Sequence, residues 1–431
     1  MFARAAYCDV TPRDRPTRLA GYAARQASVS TVLDPIEISA VLLEAGGRRC
    51  VIFSFDLMVV GSELQQAIVA ALAPHGFATG EIMLLASHTH FAPATDLACA
   101  PLGVPDERFV ADLAAASEKL VRQMLQQPPA KSSMAIKRGR LDHTINRRRF
   151  WPFPTLGRTY GFKLTSTVMA PDPDGPRDEL ATVLLLRRTG DDAVIAAIWH
   201  YTCHATAVTP PDVISADFPG AVRRALRRRF GDIACIFAQG FCGDISPGID
   251  APEPQESVGR RLRRLARSVI SGPTFSPRTS GGWTAWSESL AAKVSAIASE
   301  PGGAVDTPST LSIAAAAIPL SEFFSGRAPE KPFTIQALRL GRVELVAVSA
   351  EVTVEWQAIL DKALPAAEGL TRLYAGYLGA LYGYLPTPRQ IGEGGYEVTG
   401  FQRLFGLSGN FDAGKIAPAV IACAKRALDD L

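Results

Sequence analysis

The stretch Met83-Leu84-Leu85-Ala86-Ser87-His88-Thr89-His90-Phe91-Ala92-Pro93 carries two histidines, two residues apart, out of an apolar run and into a turn. On a strand, residues at i and i+2 share a face, so His88 and His90 can aim both imidazoles at one point. The chain has only 6 histidines. Four of them lie in two short clusters, this one and His200-Tyr201-Thr202-Cys203-His204, each closing an apolar run that reads as a buried strand. Histidines delivered in this way are the pattern of a metal site, since neutral imidazoles suit zinc. His200 would share a face with His204 only on a helix, and the β-rich run before it argues against that. His75, ahead of Gly76, reads as a helix C-terminal cap, and His143, beside Asp142, reads as a surface residue.

Three other segments are polar and glycine-rich for their apolar surroundings. In Phe237-Ala238-Gln239-Gly240-Phe241-Cys242-Gly243-Asp244-Ile245-Ser246-Pro247 a buried strand breaks into a glycine loop carrying one carboxylate. Glycines allow close approach of backbone N–H groups to a ligand, and Asp244 either orients a ligand histidine or caps the loop. Leu345–Ala350 is a second buried strand that ends on Glu351, as a metal ligand or general base does; a glutamate at the N-terminus of the following helical pattern is the structural alternative. Tyr382–Pro388 and then Gly394-Gly395-Tyr396-Glu397 place tyrosines on loops rather than in core.

The elements that position these groups follow from composition and periodicity. With 431 residues and 47% hydrophobic content the chain can bury a large core, and a net charge of +3 gives no basis for nucleic acid as main partner. The runs Arg223, Arg224, Arg227, Arg228, Arg229 and Arg260, Arg261, Arg263, Arg264, Arg267 alternate with apolar residues at helical spacing and read as solvated helix faces. The 7 cysteines are scattered and form no C-x-x-C pair, which argues against a disulfide framework and for a reducing cytosol. No apolar leader and no membrane-length run is visible, so a cytoplasmic protein without a membrane span is expected. Short β-rich runs alternate with helical stretches, predicting an α/β fold of mixed β-sheets flanked by helices. Strands are expected at 36–44, 50–56, 81–86, 180–186, 193–199, 233–238, 310–318, 334–340 and 343–348. Helices are expected at 62–73, 106–126, 220–230, 255–271, 286–298, 353–363 and 416–428, with a loop at 272–282 and one domain over 1–431.

Taken together these segments resemble the catalytic domain of the neutral ceramidase family, zinc-dependent amidases. Ser87-His88-Thr89-His90 with Pro93 resembles the family's T-H-T-H-S-G-P, and Cys203-His204-Ala205-Thr206 its V-H-G-T. Ala350-Glu351-Val352-Thr353 resembles G-E-F-T, and Gly383-Tyr384-Leu385-Pro386-Thr387-Pro388 resembles S-G-Y-V-T-T-P. Ile145-Asn146-Arg147, Gly21-Tyr22 and Ser54-Phe55-Asp56 also resemble family segments, so the likeness runs from about residue 5 to residue 410. The resemblance implies zinc held by His88, His204, Glu351 and Tyr384, with His90 close by, and Tyr384, Tyr396 and Arg147 as oxyanion or headgroup donors. Two imidazoles and a carboxylate are by themselves a common catalytic zinc set.

One departure bears on mechanism. Where the family has Q-S-N-x-G-D-x-S-P, this chain reads Gln239-Gly240-Phe241-Cys242-Gly243-Asp244-Ile245-Ser246-Pro247, so Gly240 stands in place of the serine. Attack by metal-activated water, assisted by His90 or Glu351, needs no serine. Cys242 reads as packing rather than as a substitute nucleophile. A catalytic domain without the β-sandwich extension and secretion signal of many members is expected. The expected function is zinc-dependent hydrolysis of an amide or related acyl bond in a small-molecule substrate that need not be ceramide. The alternative is a biosynthetic zinc enzyme running a non-hydrolytic acyl transfer or cyclisation, or a degenerate metal-binding protein.

Overall fold

The computed structural model describes residues 1–23, 25, 27–157, 161–249, 259, 262, 266, 268 and 271–431. The expected helix 255–271 and its arginine run fall outside the described residues apart from isolated positions. In chain order the strands that frame the molecule are β1 (Phe2–Asp9), β2 (Glu37–Ala45), β3 (Arg48–Phe55), β4 (Ile82–Ala86), β5 (Ala130–Arg140), β6 (Thr144–Trp151), β7 (Ser166–Asp172), β8 (Leu180–Arg188) and β9 (Val194–Tyr201). They continue with β10 (Ala234–Gln239), β11 (Ile245–Pro247), β12 (Ala304–Asp306), β13 (Leu311–Ile318), β14 (Phe333–Leu340), β15 (Val343–Val348), β16 (Glu351–Val352), β17 (Thr371–Ala375) and β18 (Tyr384–Leu385). The main helices are α1 (Ser62–Leu72), α2 (Glu107–Gln126), α3 (Phe218–Phe230), α4 (Ser280–Ser299), α5 (Trp356–Ala363) and α6 (Ile416–Asp429). This is the expected α/β architecture of mixed sheets with flanking helices.

The largest sheet has the order β10-β9-β8-β5-β1-β2-β3-β4, with β12 added to β5. Its middle pairs are antiparallel, while both edge pairs, β3–β4 and β9–β10, are parallel and are made by crossovers through α1 and α3. Alternation along each strand splits the side chains between two cores. Ala40, Leu42, Val51 and Phe53 face α1 and α2, while Val41, Leu43, Ile52 and Met83 face inward, toward Leu338, Leu345 and Leu373 of a second, four-stranded sheet β13-β14-β15-β17. A third core packs α3 and α4 through Phe218, Leu226, Trp286 and Leu290 onto Trp199 and Phe237.

The large sheet curls until β10 meets β3. Ser54 on β3 donates its hydroxyl to the Phe237 carbonyl (3.2 Å) and accepts from the Phe237 N–H (3.1 Å), replacing a ladder bond with a side chain. The carboxyl ends of β4, β9, β10 and β15 thereby come together, and ligand sites in open α/β sheets form at such ends.

Nine of these strands were not expected from sequence: the longer β1, β5, β6 and β7 and the short β11, β12, β16, β17 and β18. β5 and β6 are rich in Arg, Lys, Ser and Thr and pair with strands some distance along the chain, so no apolar alternation marks them. The arginine run on α3 also departs from the solvated-face reading. Arg223 is buried, donating to Asp56 (2.7 Å) and to the Pro35 carbonyl (3.1 Å) and facing Glu37 at 3.3 Å, while Arg227 grips Glu37 bidentately (2.8 and 2.9 Å). Burial pushes Asp56 up to about 6, against the pull of Arg223. His143 is buried too, against Ser289 (3.1 Å), rather than on the surface. Among the described residues, no helix is long and apolar enough to cross a membrane.

Removing one partner of a buried ion pair strands the other. Arg223→Ala is expected to destabilise the fold by about 3–5 kcal/mol through the abandoned Asp56 carboxylate, read by urea denaturation; a loss under about 1 kcal/mol contradicts this.

Candidate metal centre

Strand β4 stops at Ala86, and the histidines after it sit on a turn rather than on the strand. His88 adopts φ +60°, a left-handed conformation rare for a residue with a Cβ. The reversal is pinned on both sides: the Ser87 N–H bonds the Phe55 carbonyl (2.9 Å), the Thr89 hydroxyl donates to Ser215 (2.9 Å), and the His90 N–H bonds the Ala205 carbonyl (3.1 Å). The convergence expected for a strand is reached by this turn. The His204 segment is held in turn by its N–H on the Ile245 carbonyl of β11 (3.2 Å).

The three imidazoles His88, His90 and His204 face one another, with one ligand atom from each inside a span of 4.8 Å. Nε2 of His88 lies 3.1 Å from Nε2 of His204 and 3.2 Å from Nε2 of His90. The Nδ1 atoms of His88 and His204 each lie 2.8 Å from a carbonyl oxygen, of Met58 and Cys242 respectively. A carbonyl accepts only, so both Nδ1 atoms carry the proton and both Nε2 atoms present lone pairs to each other. Facing lone pairs repel unless a cation lies between them. Burial and the neighbouring positive groups hold His90 and His204 well below the ordinary imidazole range, so neither relieves the contact by taking up a proton at neutral pH.

Glu351 completes the cluster. It opens β16 directly after the second sheet, its N–H on the Gly383 carbonyl (2.8 Å), and its Oε2 lies 3.2 Å from Nε2 of His88 and 3.6 Å from Nε2 of His204. Among the described residues that buried oxygen has no hydrogen-bond partner. An orphaned carboxylate oxygen beside two imidazole lone pairs fits a divalent cation, and the nitrogen and oxygen donors suit zinc.

Tyr384 is placed by register, not by a loop: β16 and β18 pair in parallel with Glu351 opposite Tyr384. Its buried hydroxyl accepts from Arg147 Nη2 (3.0 Å); burial and the Glu351 charge push the phenol well above its usual value while Arg147 opposes them. Arg147 also donates to the Gly243 carbonyl (2.6 Å) and to Glu397 (3.0 Å), and Tyr396 packs edge-on against Tyr384 with ring centroids 5.6 Å apart. Asp244 serves the frame. Its carboxylate accepts from the Val354 N–H (2.8 Å), Gln390 (3.2 Å) and Asn146 (3.4 Å), and burial raises it to about 6.

His200 stays outside the cluster, its Nε2 on the Tyr374 carbonyl (2.8 Å), and His75 pairs with Glu118 (2.7 Å) next to Gly76. Three contributors were given no role from sequence, although Gln239 and Glu397 lie in segments marked there as polar and glycine-rich. Gln239 donates to the carbonyls of Ser87 (3.1 Å) and Cys203 (2.7 Å), the residues just ahead of His88 and His204. Glu397 joins Arg147 to Arg148 (2.8 Å), a pairing between residues far apart in sequence. Tyr377 lies against His88 with ring centroids 4.0 Å apart.

Buried imidazoles and a carboxylate at the converging ends of mixed sheets define a candidate metal centre in an α/β fold. That fold is the one found in neutral ceramidases. The crystal structure of neutral ceramidase from Pseudomonas aeruginosa matches over 100% of this chain and 73% of its own, with a TM-score of 0.71 at 16% identity. A ceramidase complexed with C2 matches over 100% and 75%, with a TM-score of 0.70 at 15% identity. No family model matches the sequence, and no curated protein does either. At these identities the likeness is one of fold.

Gly240 sits where no side chain fits. A Cβ there would collide with Thr202 Oγ1 and fall 2.9 Å from Thr202 Cα. Gly240→Ser is therefore expected to cost about 1–3 kcal/mol by overpacking, and Thr202→Ala in the same chain to recover only the part due to the hydroxyl, since the contacts with Thr202 Cα and Cβ remain. Denaturant titration of the two single variants and the double variant checks it, and simple additivity defeats the explanation.

Proposed function

We propose that this protein is a zinc-dependent hydrolase of an amide or related acyl bond, built as a single ceramidase-like domain. The observation that carries the reading is the buried meeting of imidazole lone pairs with the unpartnered Glu351 oxygen. In this reading His88, His204, Glu351 and Tyr384 hold the ion. Bound zinc supplies Lewis acidity, polarising an acyl carbonyl and making water acidic enough to attack near neutral pH.

The chain's own groups do the rest. His90 is the most exposed of the three histidines and its Nε2 lies 3.2 Å from that of His88, so it relays the proton of the attacking water to the leaving group, holding it only in passing because its surroundings disfavour the charged ring. Arg147, locked by Glu397 and the Gly243 carbonyl, sets positive charge beside Tyr384 where an acyl oxygen gains negative charge, with Tyr396 alongside. Gly240 has no nucleophilic atom, and burial drives the Cys242 thiol up and away from thiolate, so water is the nucleophile. The fold neighbours are ceramidases, which supports an N-acyl compound as substrate, and esters and lactones share the same acyl chemistry.

Purified protein is expected to hold about one zinc per chain and to turn over at least one member of a panel of N-acyl amides, esters and lactones. Chelation should abolish turnover and added zinc restore it. His88→Ala should lower both metal content and turnover by about 100-fold or more. Zinc-loaded protein silent on the whole panel would redirect the reading to acyl transfer, cyclisation or plain metal binding. Protein that takes up no metal would end it.

A further inference from the structure

Tyr377 is buried and adopts φ +60°, and a bulky residue stays in that region only where its surroundings over-determine it. Its surroundings are the segments that carry His88 and Glu351, together with Gln239, which ties the His88 and His204 segments to each other. The Ala86 N–H bonds its carbonyl (3.2 Å) two residues before His88, its own N–H bonds the Ala350 carbonyl (3.2 Å) one residue before Glu351, and the N–H of Gly376 bonds the Gln239 carbonyl (2.9 Å).

The side chain continues the pattern. The Tyr377 ring stacks on His88, 4.0 Å between centroids at 25°, and stands edge-on to His204 at 6.5 Å. Its hydroxyl lies 3.1 Å from Cys242 Sγ, and that sulfur lies 3.6 Å from Nδ1 of His204, the nitrogen that donates to the Cys242 carbonyl. One phenol therefore bears on His88 directly and on His204 through the residue that fixes its tautomer.

We propose that Tyr377 is the positioning residue of the metal centre, holding the His88 and His204 rings with their Nε2 atoms aimed at a common ion through the stack on His88 and the contact with Cys242. The inference rests on the reading of these histidines as metal ligands. An imidazole whose Nδ1 is tied to a carbonyl can still tilt about that bond, and a ring laid flat on its face removes the tilt. Groups that orient ligand histidines typically change metal affinity by 10–100-fold when removed.

The test compares wild type, Tyr377→Leu, Tyr377→Phe and Cys242→Ala by competition for zinc with a chromophoric chelator and by the visible spectrum of the cobalt-substituted protein. Thermal unfolding of the metal-free proteins is measured beside them. Tyr377→Leu is expected to bind zinc about 10–100-fold more weakly and to shift the cobalt bands. Tyr377→Phe keeps the stack and loses the hydroxyl contact, so it should fall between Leu and wild type, close to Cys242→Ala. If Tyr377→Leu does not fold, Tyr377→Phe and Cys242→Ala decide the matter, and both must weaken zinc binding. Wild-type affinity and unshifted cobalt bands in the folded variants overturn the inference and leave the metal reading standing. Wild-type protein that binds neither ion overturns both.

Discussion

The side-chain amide of Gln239 is the bond on which the centre depends. Its –NH2 group serves the carbonyls of both Ser87 and Cys203, and so ties the exit of one edge strand of the curled sheet to the exit of the strand that pairs with the other edge. A flat sheet of this order would hold β4 and β10 at opposite margins. Curling brings them together but leaves strand ends whose polar groups no ladder satisfies, and a fully buried amide with two donors and one acceptor fits that deficit. Gln390 does the corresponding work one layer away, accepting from the Thr353 hydroxyl (2.8 Å) and the Thr387 N–H (3.0 Å) and donating to Asp244. Between them the two glutamines fix the frame in which His88, His204, Glu351 and Tyr384 meet.

Buried charge reinforces that frame at two places. Arg223 and Arg227 lock α3 onto the ends of β2 and β3 through Asp56 and Glu37, and Arg147 with Arg148 lock β6 onto the Tyr396 segment through Glu397. Such networks contribute little net stability against well-packed apolar side chains, but they tolerate only one arrangement. What they supply here is position. A carboxylate shared by two arginines cannot slide without abandoning one of them.

Much of this was legible in sequence, for a physical reason. The runs ending at Ala86, Tyr201 and Val348 are apolar because they are buried on both faces, and the polar residues just past them had to be placed by something other than core packing. His88, His204 and Glu351 announce themselves in that way. Length and periodicity likewise located α1, α2, α3 and β15 to within a few residues. The left-handed turn at His88, the stack of Tyr377 and the bridge at Glu397 were not legible, because each depends on partners a long way off in the chain that leave no periodic trace. Arg223 was misread for a related reason: an arginine on an amphipathic helix looks solvated until the distant carboxylates that draw it inward are placed.

The pairing of β16 with β18 sets Glu351 and Tyr384 side by side on neighbouring strands, whereas the histidines arrive from the first half of the chain. This order has a temporal side. During synthesis the turn carrying His88 and the segment carrying His204 emerge long before the strands that bring the carboxylate and the phenol, and contacts that span so much chain close late. The nascent protein thus passes through a stage in which the imidazoles are made but the carboxylate and the phenol that lie beside them are not. On the reading proposed above, in which Glu351 and Tyr384 join the histidines around one ion, the donor set is complete only when folding has reached Tyr384.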